Sequence, residues 1–338
     1  MGFSSQSGQT ILRTQAAAGV FQADTGTAGT AIKLRSGSLA PSRTLMMPDP
    51  EIGGGRDRSD AYLGGTSFSG DYEFYARLES LPTLLRAGFG TASSAPGTGA
   101  TAGTNTHTFT PSDASQLPFL SIEEAIGAGL ETYRYTDAVV NTLHFEADAS
   151  GYLQGTAGMV ARTQVGGVAR TVDPTWDNSP MLVGTNIFLT YGGVTLPAKS
   201  FSFDLNNNFA DDDYRLGSFY IGDLTPAARE ITAGFTIREQ DNALWRQAVY
   251  GVSTATSPGG LTTKDALVIT MNTYESIGDT TVKSGLTINI PKFALNPYAY
   301  GASGADIIES DVTGQALRPM ANTPIATVTV TNGLATIA

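Results

Sequence analysis

Two stretches of this 338-residue chain carry the same short pattern. "DYEFYARLESLPTLLRAGFG" occupies residues 71–90 and "TAGFTIREQDNALWRQAVYG" residues 232–251. Phe74, Arg77 and Gly90 of the first fall at one constant spacing on Phe235, Arg238 and Gly251 of the second, and an aromatic (Phe89, Tyr250) precedes each closing glycine. In both, a strand-like run feeds a short helix. Ser80 as a cap candidate, Pro82 in the first turn, an apolar face and Gly90 as a stop predict a first helix of about nine residues. Leu84, Leu85 and Phe89 are its expected packing residues, and Leu244, Trp245 and Tyr250 those of its counterpart. The repetition predicts an all-β chain with minor α, built from two tandem β-sandwich or barrel units with one short flanking helix each.

The rest of the chain arranges itself around that repeat. Residues 1–30 are Ser, Gly, Thr, Ala and Gln with few large apolar groups, which reads as an arm. Residues 31–170 form the first expected unit. In it, 45–65 is a polar, glycine-rich loop, "TSFSGDYEFYAR" a strand, and "GTASSAPGTGATAGTNTHTFTPSDASQ" a low-complexity surface loop. "LPFLSIEE", "VVNTLHFEA" and "YLQGTAGMVAR" follow as strands, the last two joined at "DASG". "TVDPTWDNSP", residues 171–180, is the expected linker. In the second unit, 181–315, "NIFLTY" and "VTLPA" flank Gly192 and Gly193 as a hairpin. "SFSFDL", "ITAGFTIRE", "ALVITMNTY" and "SGLTINIPKF" alternate as strands, and residues 316–338 complete the chain as a strand or arm.

Hydrophobic residues at 41% and charged residues at 15% describe a globular chain, and Gly 39 with Pro 16 suits short strands joined by turns. Twenty Lys and Arg against 31 Asp and Glu leave a net charge of −11, which repels phosphate and argues against tight nucleic-acid binding over the whole surface. With no cysteine, neither disulfides nor thiolate metal sites are available. The N-terminal residues read as neither a secretion signal nor a myristoylation site, and no apolar run is long enough for a transmembrane helix.

The inventory for catalysis is thin. Of two histidines, His107 lies in the Gly/Thr tract and His144 on a predicted strand, which leaves a Ser/His/Asp set poorly supported. "GTSFSG" has the wrong spacing for a nucleophile elbow, and "GGGR" lacks the ending of a phosphate loop. "NNNFADDDY" offers oxygen ligands without the spacing of an EF-hand, so it reads as a solvated loop. Glu123 and Glu124, adjacent on a strand, point to opposite faces. No catalytic residue, metal or cofactor is expected.

The order of features in "PDPEIGGGRDRSDAYLGGTSFSGDYEFYARLESLPTLLRAGFG", followed by "LETYRYTDAVVNTLHFEADASGYLQGTAGMVAR", resembles the major tail tube proteins of long, non-contractile-tailed bacteriophages. A charged loop with Pro-Glu and Arg leads to a Gly-punctuated strand, a short helix ending in Gly, then a Tyr-rich strand entering an alternating hairpin. The resemblance covers about residues 40–165 directly and 195–315 through the repeat. It implies tube domains whose strands join those of neighbours around a channel, in rings of six domains stacked into a hollow tail that carries DNA. Two domains per chain would make each ring a homotrimer. The resemblance places contacts between rings on Asp49, Glu51, Arg56, Asp57 and Arg58, and on Asp211, Asp212, Asp213, Tyr214 and Arg215. The implied partners are copies of the chain, a tape measure protein and DNA in the channel, and terminator and tip proteins at the ends. The implied location is the virion tail, assembled in the host cytoplasm without a membrane. A capsid decoration protein, a tail terminator, a porin and a carbohydrate-active β-sandwich remain the competing readings.

Overall fold

A computed structural model of the chain describes residues 4–27, 30–127, 130–300, 307–320 and 323–337. In the first half the strands are β1 (Gln9–Thr14), β2 (Ala31–Ile32), β3 (Leu34–Ser36), β4 (Ala40–Met46) and β5 (Tyr62–Tyr75), followed by α1 (Leu81–Phe89). Then come β6 (Gly90–Pro96), β7 (Asn105–Pro111), β8 (Leu120–Ile126), β9 (Glu131–Asp148), β10 (Gln154–Ala161) and β11 (Thr163–Val165). The second half holds β12 (Ile187–Tyr191), β13 (Val194–Thr195), β14 (Ala198–Asn206), β15 (Phe209–Ala210), β16 (Thr225–Pro226) and β17 (Glu230–Arg238), followed by α2 (Ala243–Tyr250). It ends with β18 (Asp265–Ser276), β19 (Lys283–Leu295), β20 (Glu309–Ala316) and β21 (Thr327–Asn332). The fold is mostly strand with two helices, as the alternation predicts, and the strand-to-strand pairings are antiparallel.

The pairings give both halves one strand order. β1–β8–β9–β10–β5–β4 in the first recurs as β12–β18–β19–β20–β17–β14 in the second, with a helix after β5 and after β17. The matched residues take matched places: Phe74 lies opposite Gly155 on β10, and Phe235 opposite Val312 on β20. Each helix ends at a glycine with φ of 93°, Gly90 and Gly251, whose N–H reaches back to Arg86 or Gln247. A side chain at Gly251 would also strike the Leu261 carbonyl, so only glycine serves there.

β9 joins the halves. Its first residues pair with β8, and from Thr142 to Asp148 the same edge pairs with β14, Phe145 opposite Phe203. At the register shift within the β8 pairing, between Tyr135 and Ala138, Asp137 turns left-handed at φ 55°, held by Gly19 N–H at 2.6 Å and the Arg162 guanidinium at 3.3 Å. The result is a continuous run β5–β10–β9–β14–β17–β20 crossing from one half to the other. Its inner face places Phe74, Leu143, Phe145, Phe203, Phe235 and Val312 in one buried cluster shared by both halves.

Several segments depart from the sequence reading. Residues 90–116, expected as a surface loop, contain the β6–β7 hairpin, and β7 pairs with β21, which pairs in turn with β19. His107 is therefore buried rather than mobile: its Nδ1 lies 2.7 Å from the Ser94 hydroxyl and its Nε2 lies 3.0 Å from the Leu334 carbonyl. Asn332 on β21 donates to the Leu78 carbonyl at 2.6 Å, pinning the C-terminal strand to the first half. Residues 9–14, inside the expected arm, form β1 against β8, with Ile11 and Leu12 buried. Ser80 makes no side-chain cap. Its N–H donates instead to the fully buried Asp177 carboxylate at 2.7 Å, so the segment 171–180 supplies the N-terminal acceptor for α1.

Candidate assembly surfaces

The outer face of the continuous sheet is polar because each strand alternates. From β5 it presents Asp71 and Glu73, from β9 His144, Glu146 and Asp148, from β14 Asp204, and from β20 Glu309 and Asp311. The registers put them on one side: Ser202 opposite Glu146, Asp204 opposite His144, Thr236 opposite Asp311. Basic groups on this face are already engaged, Arg238 and Lys199 both holding Glu309, at 3.1 Å and 2.7 Å. Those cations hold the Glu309 carboxyl below the usual carboxylate range. The arrangement concentrates negative charge on this face, around an open depression of about 310 Å³ lined by Glu146, Asp148, Ser202 and Asp311. Among the described residues no group of three or more acidic or His side chains is placed to hold a metal ion.

His144 sits where the halves meet, its Nδ1 2.6 Å from Asp204 and its Nε2 3.4 Å from Glu146. The Asp204 hydrogen bond raises its pKa, partial burial opposing. An imidazolium held this way contributes stability that is fully present below about pH 6.5 and is lost as pH rises through the raised folded value. His144 is expected to titrate above 6.5 in an NMR pH series and to move down toward that value in Asp204→Asn.

The junction also buries apolar side chains away from the main core. Phe209, Ile221 and Leu224, from the segment linking β14 to β17, fill a pocket made by Leu117, Phe119, Val139 and Val160 of the first half. Asn207 donates to the Gly88 carbonyl at the end of α1 at 2.9 Å and to the Val140 carbonyl at 3.0 Å, and Arg229 donates to the Ser112 carbonyl. α1 is buried at Leu84, Leu85 and Phe89. α2 is covered less: only Gln247 and Ala248 are buried, while Leu244, Trp245 and Tyr250 are half-buried. Trp245 stacks on Tyr300 with ring centroids 5.1 Å apart and meets Tyr250 edge-on at 5.0 Å.

The two loops named from sequence differ in their engagement. Asp49, Glu51, Arg56, Asp57 and Arg58 are all exposed between β4 and β5, with a single ion pair, Arg58 to Asp49 at 3.8 Å. In the second loop Asp211 and Asp212 are exposed, but Tyr214 covers Gly65 and donates to Ser67 at 3.2 Å. Arg215 bridges Asp213 at 2.6 Å and Asp223 at 2.7 Å, holding the Asp213 carboxyl below its ordinary range. The aspartate-rich run is therefore cross-linked internally. Sequence reading missed the pocket-filling Phe209, Ile221 and Leu224 because they follow no periodic pattern.

A family model described as phage tail tube protein matches residues 13–316. A search of curated proteins finds no match.

Proposed function

Since the chain belongs to the phage tail tube protein family, we propose that it is a duplicated tube subunit, three copies of which close a ring of six β units that stacks into a long, non-contractile tail. The family makes it a structural virion protein of the tail that assembles with itself into a tube, and not an enzyme. The observation carrying the finer reading is the continuous sheet β5–β10–β9–β14–β17–β20, which merges the halves into one wall with carboxylates on its outer face. The recurring strand order supports duplication of one unit.

In the proposed ring that acidic face lines the channel. DNA binding requires cations that release counterions from phosphate, and a wall of Asp71, Glu73, Glu146 and Asp311 with its few cations paired offers none, so DNA passes without sticking. A tape measure protein occupies the channel before ejection, and terminator and tip proteins bound the tube, which is assembled in the host cytoplasm. The exposed loop carrying Asp49, Glu51, Arg56, Asp57 and Arg58 reaches the adjacent ring. Of the second loop, Asp211 and Asp212 remain free for the same role, Tyr214 and Arg215 being engaged within the chain.

Negative-stain electron microscopy of the purified protein is expected to show hollow tubes, and of a variant lacking residues 53–60 to show rings that do not stack. Monomers persisting across concentration and salt, even beside a nucleating tail tip, would remove the tube reading. Normal tubes from the deletion variant would remove the loop assignment alone.

A further inference from the structure

We propose that residues 327–332, strand β21, are a detachable clasp, seated in a slot whose walls, β7 and β19, belong to different halves, and that the slot accepts the same segment when it is supplied as a separate peptide. The family match ends at residue 316, where β20 ends, so β21 lies outside the matched part. Both edges of the strand are paired: Val328 lies between Ile288 of β19 and Phe109 of β7, and Val330 between Leu286 and His107. The two valines are buried in the common core.

Each wall is held independently of the clasp. β19 is bonded along its other edge to β18, from Gly285 opposite Asn272 to Phe293 opposite Asp265. β7 is bonded to β6, and the hairpin is fixed to the end of α1 by Ser112 N–H on the Phe89 carbonyl at 2.7 Å. The counterpart in the first half shows what is different about β21. There β11 follows β10 after a single residue, Arg162, and pairs with β9, Thr163 opposite Thr136. β21 instead arrives on residues 317–326, whose described residues form no strand. Arg318 and Met320 are exposed, and Pro319 and Pro324 have no N–H to give. An exposed tether leads to a buried strand.

Asn332 sets the register. Its Nδ2 donates to the Leu78 carbonyl at 2.6 Å, and its Oδ1 accepts from Leu334 N–H at 2.9 Å and lies 3.1 Å from His107 Nε2. Asn332 and His107 are both buried, so removing the Asn332 amide leaves buried polar groups without their partner. The slot therefore selects an extended strand carrying Val, Val and Asn at alternate positions, with main-chain bonds supplying affinity and the inward side chains specificity. Docked, the clasp ties the halves together at a second place besides the β9–β14 ladder. Undocked, it leaves β7 and β19 as bare edges.

A protease site inserted after Pro319 lets the tether be cut in the otherwise complete, folded chain. The cut chain should keep its C-terminal fragment through gel filtration and then take up a labelled peptide of residues 323–338 in exchange for it. The same peptide carrying Asn332→Ala should bind on the order of tenfold more weakly. Uncut chain should take up little, because a short tether holds its own strand at an effective concentration on the order of millimolar. In the uncut chain, amides bonded between β21 and its two partners should exchange together, and faster than those of 142–148, because the clasp opens without the rest of the fold. No uptake by the cut chain, or exchange of 327–331 no faster than that of 142–148, would overturn the clasp. Neither measurement requires rings or tubes, so the tube reading stands or falls on the micrographs alone.

Discussion

Phe203→Ala is expected to lower the unfolding free energy by about 3–5 kcal/mol, the range for emptying a large aromatic site in a core that cannot collapse around it. Phe203 is fully buried at the middle of β14, flanked by β9 and β17, and its ring stacks on Phe145 with centroids 6.4 Å apart. The same side chain therefore belongs to the cores of both halves. Trp176 lies in the connecting segment and Trp245 on α2, so fluorescence of single-tryptophan versions follows each region separately through a denaturant titration. Both probes should report one coincident transition, displaced together by the substitution. A loss below about 1 kcal/mol, or a shift seen by one probe alone, would show that the halves do not share a core.

Glu124→Gln is expected to make the protein more stable at pH 8, the reverse of most core substitutions. Glu124 is 5% exposed, and burial pushes its carboxyl up to about 7, against the pull of the Leu39 N–H and the Tyr72 hydroxyl, each at 3.3 Å. The folded state then binds a proton more tightly than the unfolded one, whose carboxyl titrates near 4.5. Stability must fall as pH rises from about 4.5 to about 7 and level off above, by about 3 kcal/mol for this one group. Glutamine keeps an oxygen for both donors and carries no charge, so the variant should lose that fall. Denaturant midpoints at pH 5 and pH 8 check it: unsubstituted protein should drop between them and the variant should hold. An equal drop in both would place the burial cost elsewhere.

Most of the strands were legible because their burial alternates. "SFSFDL", "ITAGFTIRE" and "ALVITMNTY" put every second residue into the core, and β14, β17 and β18 lie where the alternation runs. The first helix was legible from Pro82 and Gly90, and its length is nine residues. The β6–β7 hairpin was not, since β6 is exposed from Thr91 onward and its tract is mostly Gly, Thr, Ala and Ser; what seats it is β21, more than two hundred residues away. Asp177, the acceptor for α1, is also remote, 97 residues from Ser80 in sequence. The exposure of the loop before β5 could be read from its glycines and charges. The pairing of His144 with Asp204 could not, because it exists only once β9 and β14 lie side by side.

That shared ladder has a mechanical consequence. Two units joined by a peptide linker ordinarily swing about it, but here the connection is seven residues of β14 hydrogen-bonded to β9, backed by a common apolar layer. The chain has no hinge at its middle and resists flexure as one plate. Curvature in a tube made of such plates is taken up where separate copies touch rather than inside each copy.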